Sequence, residues 1–139
     1  MCRNFTRRLA TIDVFAVVEQ GAEIGAGVTI GPGSHIKSCV VLGANTKVGA
    51  NCTLGHDGFG FERGEDGAAL RFPHLGKLMI GQDCEIGNSC SISRGTLRDT
   101  VVERGIKIDD HAYLAHNVFV KANSLIMAGV RLNGGVVVG

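Results

Sequence analysis

From Ile12 onward an aliphatic side chain returns at every sixth position: Ile12, Val18, Ile24, Ile30, Ile36, Leu42, Val48 and Leu54. After a gap the register resumes at Ile80, Ile86 and Ile92, slips by four residues, and runs on from Val102 through Ile108, Leu114, Val120, Ile126 and Leu132 to Val138. Four residues after each of these sits a compact residue, among them Val28, Ser34, Thr46, Cys52, Cys84, Cys90, Thr96, Ala112 and Val118. An amphipathic helix would need a period of 3.6, so a period of six held over eighteen units excludes it. Each unit instead supplies a short strand and a turn, and three units close one triangular coil. The reading is all-β: a left-handed parallel β-helix of hexapeptide repeats, about six coils tall, with the aliphatic residue filling the prism. Neighbouring coils then stack at the strand spacing of about 4.8 Å.

The chain of 139 residues is expected to be one domain, with 1–11 as a lead-in and 12–139 as the repeat. Twenty-one glycines and two prolines suit a structure made mostly of tight turns. Fourteen basic and thirteen acidic side chains nearly cancel, which argues against a nucleic-acid surface; Arg3, Arg7 and Arg8 are only a small local excess. No apolar run approaches the roughly 20 residues of a membrane span, and no secretory signal is evident, so a cytoplasmic protein without an integral membrane segment is expected. Five cysteines without a C-x-x-C pair suggest neither a disulfide framework nor a zinc ribbon. Cys52, Cys84 and Cys90 fall at the compact position and read as small buried hydrophobes.

Two interruptions break the repeat. "HDGFGFERGEDGAALRFPHLGK", about 56–78, must leave the prism as a long loop, and "RGTLRDT", about 94–100, adds four residues at one corner. Excursions from a solenoid gather on the binding face. The final "GGVVVG" stops inside a unit and leaves a coil edge open to association.

Four stretches in order, "GHDGFGF", "LRFPHLGKLMIG", "CEIGNSCSISRGTLRDTVV" and "IKIDDHAYLAHNV", closely resemble the UDP-3-O-acylglucosamine N-acyltransferase family of lipid A biosynthesis. That family's pattern runs roughly G-x-D-G-F-G-F/Y, I-P-Q-x-G, I-D-R-G-A-L-D-D-T and I-D-N-x-x-x-I-A-H-N. The resemblance implies a homotrimer that moves a hydroxyacyl chain from acyl carrier protein to the 2-amino group of a UDP-linked sugar. It implies His116 as general base and Asp109 as its support. No cofactor or metal is implied beyond the phosphopantetheine arm of the acyl donor. The sequence departs from the pattern at His74 (glutamine in the family), Ser93 (aspartate), Arg98 (aspartate) and Asp110 (asparagine). It also shows no counterpart of the family's uridine-gripping N-terminal domain or C-terminal helical extension, so a catalytic core or a shorter relative is expected.

The residues support that chemistry on their own terms. An amine attacking a thioester needs a base for its proton and a donor for the developing oxyanion. Histidine suits the first task near neutral pH. Asp109, one unit earlier, is expected at the adjacent face or corner, where it could hold the imidazole tautomer. Gly134 lies eighteen residues, one coil, beyond His116 and is the candidate oxyanion donor. Asn117, Asp110 and Arg94 are candidates for substrate contact. Phe59, Phe61 and Phe72 either line an acyl or sugar pocket or pack the loop onto the coil. Two other readings stand beside this one. His74, His111 and His116 could hold zinc between subunits as in hexapeptide carbonic anhydrases, or the β-helix could be a non-catalytic trimeric scaffold or an incomplete catalytic core.

Overall fold

The computed structural model describes residues 9–139, so Arg3, Arg7, Arg8 and most of the lead-in lie outside the described residues. Three parallel sheets of six strands each form the walls of a prism. The first wall runs from Thr11–Ile12 to Leu125–Ile126, the second from Val17–Val18 to Arg131–Leu132, and the third from Glu23–Ile24 to Val137–Val138. Successive coils pair in the register that the sixfold period demands: Ile30 faces Val48, Ile86 faces Ile108, and Leu114 faces Leu132. The chain is a parallel β-helix, as the repeat requires.

The aliphatic column is the core. Ile30, Ile36, Leu42, Leu54, Ile92 and Leu114 are essentially inaccessible, each such burial stabilising the coil by about 1.5–3 kcal/mol. The first and last coils are less covered: Ile12 is 51% exposed and Leu132 and Val138 are half-buried. Cys52, Cys84 and Cys90 are buried. Burial pushes the Cys84 thiol up from its ordinary value, and the neighbouring Cys52 thiol, with burial, does the same to Cys90.

Hydroxyls at the compact position do a second job. Thr46 Oγ1 donates to Gly81 O at 2.8 Å and accepts the Cys84 N–H at 3.3 Å, while Ser34 Oγ donates to Gly49 O at 2.6 Å and accepts from Cys52 N at 3.0 Å. Each stitches one coil to the next inside the prism. Thr46→Val keeps the shape and strands these groups without water, so it should cost about 1–3 kcal/mol in urea unfolding. No loss on this substitution would mean that the bridge contributes nothing.

Thr96 departs from its expected place. It sits half-buried in the short excursion, and Thr100 fills the interior position instead, fully buried two residues before Val102. The four-residue slip displaces the compact position together with the aliphatic one, so counting forward from Ile92 reaches the wrong threonine.

The corners turn through left-handed residues. Asn45, Asn51, Asp83, Ser89, His111, Asn117 and Asn123 all have φ between 55° and 62°. Asparagine and aspartate tolerate that region better than most side chains. On the second wall, Glu19 accepts hydrogen bonds from Lys37 Nζ at 3.0 Å, Ser38 N at 3.0 Å and His35 Nε2 at 2.8 Å. These donors, Lys37 first, hold its carboxyl at about 2 against an ordinary 4.5. A depressed carboxyl stabilises the fold above 4.5 and loses that contribution as pH falls toward about 2. Thermal midpoints across that window should fall less steeply for Glu19→Gln than for the wild type; identical slopes would remove Glu19 from the acid response.

Candidate active site

Both excursions leave the prism at the same corner, between the second and third walls. The long one connects Thr53–His56 to Leu78–Ile80, and the short one connects Ser91–Ser93 to Thr100–Val102. His116 and Asn117 occupy the same corner one coil further on, between Tyr113–Leu114 and Phe119–Val120. Gly134 and Gly135 occupy it in the last coil, between Arg131–Leu132 and Val137–Val138. The interruptions and the sequence-predicted base therefore form one column along a single edge of the prism.

His116 is fixed by Asn117. Its Nδ1 lies 2.9 Å from Asn117 Oδ1, which also accepts from Thr96 Oγ1 at 2.8 Å. Asn117 Nδ2 donates to Arg98 O at 2.7 Å, and its backbone N–H donates to Thr100 Oγ1 at 2.8 Å. The Arg98 carbonyl can only accept, so the amide orientation is set and Oδ1 must face the ring. His116 then carries its proton on Nδ1 and leaves the Nε2 lone pair free. That side of the ring faces Gly134, where an added Cβ would stand 2.6 Å from Cε1 and 2.9 Å from Nε2. The Gly134 N–H makes no backbone hydrogen bond among the described residues. A cleft of about 400 Å³ opens here, lined by Thr96, Arg98, His116, Asn117, Gly134 and Gly135.

The opposite side of the ring is packed by the long loop. A Cβ on Gly58 would lie 2.9 Å from His116 Cδ2 and 3.1 Å from His74 Nε2. The His74 and His116 rings meet edge-to-face with centroids 5.7 Å apart. His74 Nδ1 donates to Phe72 O at 3.0 Å, and its buried Nε2 has no partner among the described residues. Gly58 and His74 are not among the site residues the sequence predicts for acyl transfer: His74 enters the zinc reading and the departures from the family pattern, and the G-x-G pattern around Phe59 is the available signal for the glycine.

Other candidates lie elsewhere. Asp109 sits at the corner between the first and second walls, where its Oδ1 accepts from Asp110 N at 2.8 Å. It does not support His116 within the chain, because seven residues span one wall and place it at the preceding corner. Asp110 is equally local, its Oδ1 accepting the Asn88 N–H at 2.6 Å. Arg94 belongs to the right corner, but its Nε donates to Gly76 O at 2.7 Å and ties the two excursions together. The long loop carries an antiparallel hairpin, Phe61–Arg63 with Ala69–Arg71, where the sequence predicts only a loop. Phe59 and Phe61 pack edge-to-face at 5.0 Å and border a hollow of about 340 Å³ with Glu62, Arg63 and Ala69. Phe59 is 83% exposed, and neither ring lines the cleft at His116. His111 turns the corner between the first and second walls, so within one chain it stands apart from His74 and His116; among the described residues of that one chain no three His, Cys, Asp or Glu side chains could hold a metal ion together.

The bacterial transferase hexapeptide (six repeats) family matches residues 21–56. The UDP-3-O-acylglucosamine N-acyltransferase of Janthinobacterium sp. (strain Marseille) is 35% identical over 121 residues, covering 83% of this chain and 34% of that protein. The protein of the same name from Herminiimonas arsenicoxydans is 36% identical over 122 residues, covering 84% and 35%. Among solved structures, UDP-N-acetylglucosamine acyltransferase from Campylobacter jejuni aligns with a TM-score of 0.72 at 21% identity, over 84% of this chain and 43% of that one, a likeness of fold. The chain spans about a third of the length of the curated relatives it matches. It is a hexapeptide-repeat β-helix, homologous over most of its own length to the UDP-3-O-acylglucosamine N-acyltransferases.

Proposed function

We propose that this chain is the catalytic core of an N-acyltransferase, moving a hydroxyacyl group from acyl carrier protein to the amino group of a UDP-linked amino sugar. The observation that carries the reading is His116 held between Asn117 and Gly134, with Nε2 free and facing the cleft. The names of the relatives supply the substrate class.

In the proposed step the acceptor amine attacks the thioester carbonyl carbon, and a C–N bond begins to form. His116 Nε2 takes the proton released by the amine. Charge gathers on the former carbonyl oxygen, where the unpartnered Gly134 N–H can donate to it. The C–S bond then breaks, and the proton held on Nε2 passes to the departing thiolate. Asn117 keeps Nδ1 protonated throughout, the orienting part for which Asp109 stands too far away.

A homotrimer is part of the proposal. Beyond Glu23 in the first coil, the outward side chains of the third wall form an apolar ladder, Val41, Met79, Val101, Phe119 and Val137 in register. The corresponding ladders are mostly polar: Thr11, Thr29, Lys47, Glu85 and Lys107 precede Leu125 on the first wall, and His35, Thr53, Ser91, Tyr113 and Arg131 follow Val17 on the second. An apolar face bordering the cleft suits a second copy of the chain. The proposed donor implies a cytoplasmic setting, and no helix among the described residues is long and apolar enough to cross a membrane.

The test is a transfer assay with hydroxyacyl carrier protein and a panel of acceptors: UDP-linked amino sugar, free amino sugar, and the hydroxyl analogue of each. An amide product from the UDP-linked amine supports the reading. Amide formed only from a free amino sugar would move the acceptor to another class, and no product from the folded protein would leave a scaffold.

A further inference from the structure

We propose that Arg98 makes this cleft a phosphate-binding site, a reading that rests on the acyl-transfer function and names the ligand group recognised beside the base. Arg98 contributes the only fixed charge among the residues that line the cleft. No carboxylate lies within ion-pair distance of its guanidinium among the described residues. The carboxylate next in sequence is committed elsewhere, since Asp99 Oδ1 accepts the Lys77 N–H at 2.7 Å.

The arginine is also placed by the catalytic constellation. Its carbonyl accepts from Asn117 Nδ2 at 2.7 Å, and the same amide holds His116. Its Nη2 reaches across the corner to the last coil, 3.7 Å from where a Cβ on Gly135 would stand. The absence of a side chain at Gly135 leaves the approach to the guanidinium open. The base, the unpartnered Gly134 N–H and an unpaired cation thus share one cleft of about 400 Å³.

A guanidinium offers a planar fork of donors that matches phosphate oxygens two at a time and is more weakly hydrated than an ammonium. An unpaired guanidinium in this cleft selects for an anion on the ligand. Two phosphates could meet it: the diphosphate of a nucleotide-linked acceptor, or the phosphodiester of the donor's pantetheine arm.

Calorimetric titration of the full chain with UDP and with pantetheine 4′-phosphate, each against its phosphate-free counterpart, separates the sources. Wild type should prefer one phosphorylated probe, and Arg98→Gln should weaken that probe by about tenfold or more, the loss of a charge-assisted contact. Arg98→Lys should restore part of the affinity, and unchanged thermal unfolding of both variants keeps the comparison to binding. A response confined to UDP assigns the acceptor, and one confined to the pantetheine probe assigns the donor. Equal binding to wild type and Arg98→Gln, or no preference of wild type for either phosphorylated probe, overturns the proposal. Because the readout needs no turnover, Arg98-dependent binding without acyl transfer would sink the enzymatic reading alone, and transfer indifferent to Arg98→Gln would sink this inference alone.

Discussion

His116→Ala is expected to slow acyl transfer by roughly 10²–10⁴-fold, the usual contribution of a positioned general base. Single-turnover rates with carrier-protein thioester and the UDP-linked amine would measure it, with thermal unfolding as the control for folding. The ring sits at a corner of the prism and not in the aliphatic column, so its removal opens no cavity among Leu54, Ile92 and Leu114. Loss of turnover with an unchanged melting temperature is therefore the predicted pair of results. A variant that keeps its rate would show that another group takes the amine proton.

Gly134→Ala should cost about 10²-fold in turnover, the scale on which a displacement of about 1 Å disrupts a reacting geometry. Its new Cβ would meet the His116 ring at 2.6 Å from Cε1 and 2.9 Å from Nε2, closer than real contacts allow. Asn117 holds the other side of the ring, and Gly58 closes the edge at Cδ2. The ring cannot retreat without breaking one of those contacts. Gly134 itself is exposed in the last coil, so the stability cost should stay near the roughly 0.5–1.5 kcal/mol of the one contact the ring gives up. The fall is expected in kcat; a change confined to KM would mean that the glycine serves substrate entry and not the reacting atoms.

The walls and the aliphatic column were legible because a strict period of six leaves no alternative stacking. Gly134 could be placed against His116 for the same reason, since one coil is a fixed number of residues. Counting fails where the period fails. Thr96 and Thr100 exchange places across the four-residue slip, and the hairpin Phe61–Arg63 with Ala69–Arg71 follows its own antiparallel rule inside the long loop. The family resemblance implies Asp109 as the support of His116, but one unit of sequence carries it to a different corner, where its carboxylate meets Asp110 N. The orienting partner is instead the next residue, Asn117, whose left-handed turn (φ 62°) aims its amide back at the ring. His74 was hidden as a neighbour of His116 because their contact depends on how the long loop folds back over the corner, which no periodicity reports.

The most direct measurement is the ¹⁵N spectrum of the His116 imidazole in the folded protein, at a pH where the ring is neutral, without and with the amino-sugar acceptor. The geometry predicts a protonated Nδ1 bonded to Asn117, an unprotonated Nε2, and a perturbation at Nε2 when the amine is added. A proton on Nε2 in the free protein, or a ring that the acceptor leaves untouched, would contradict the account.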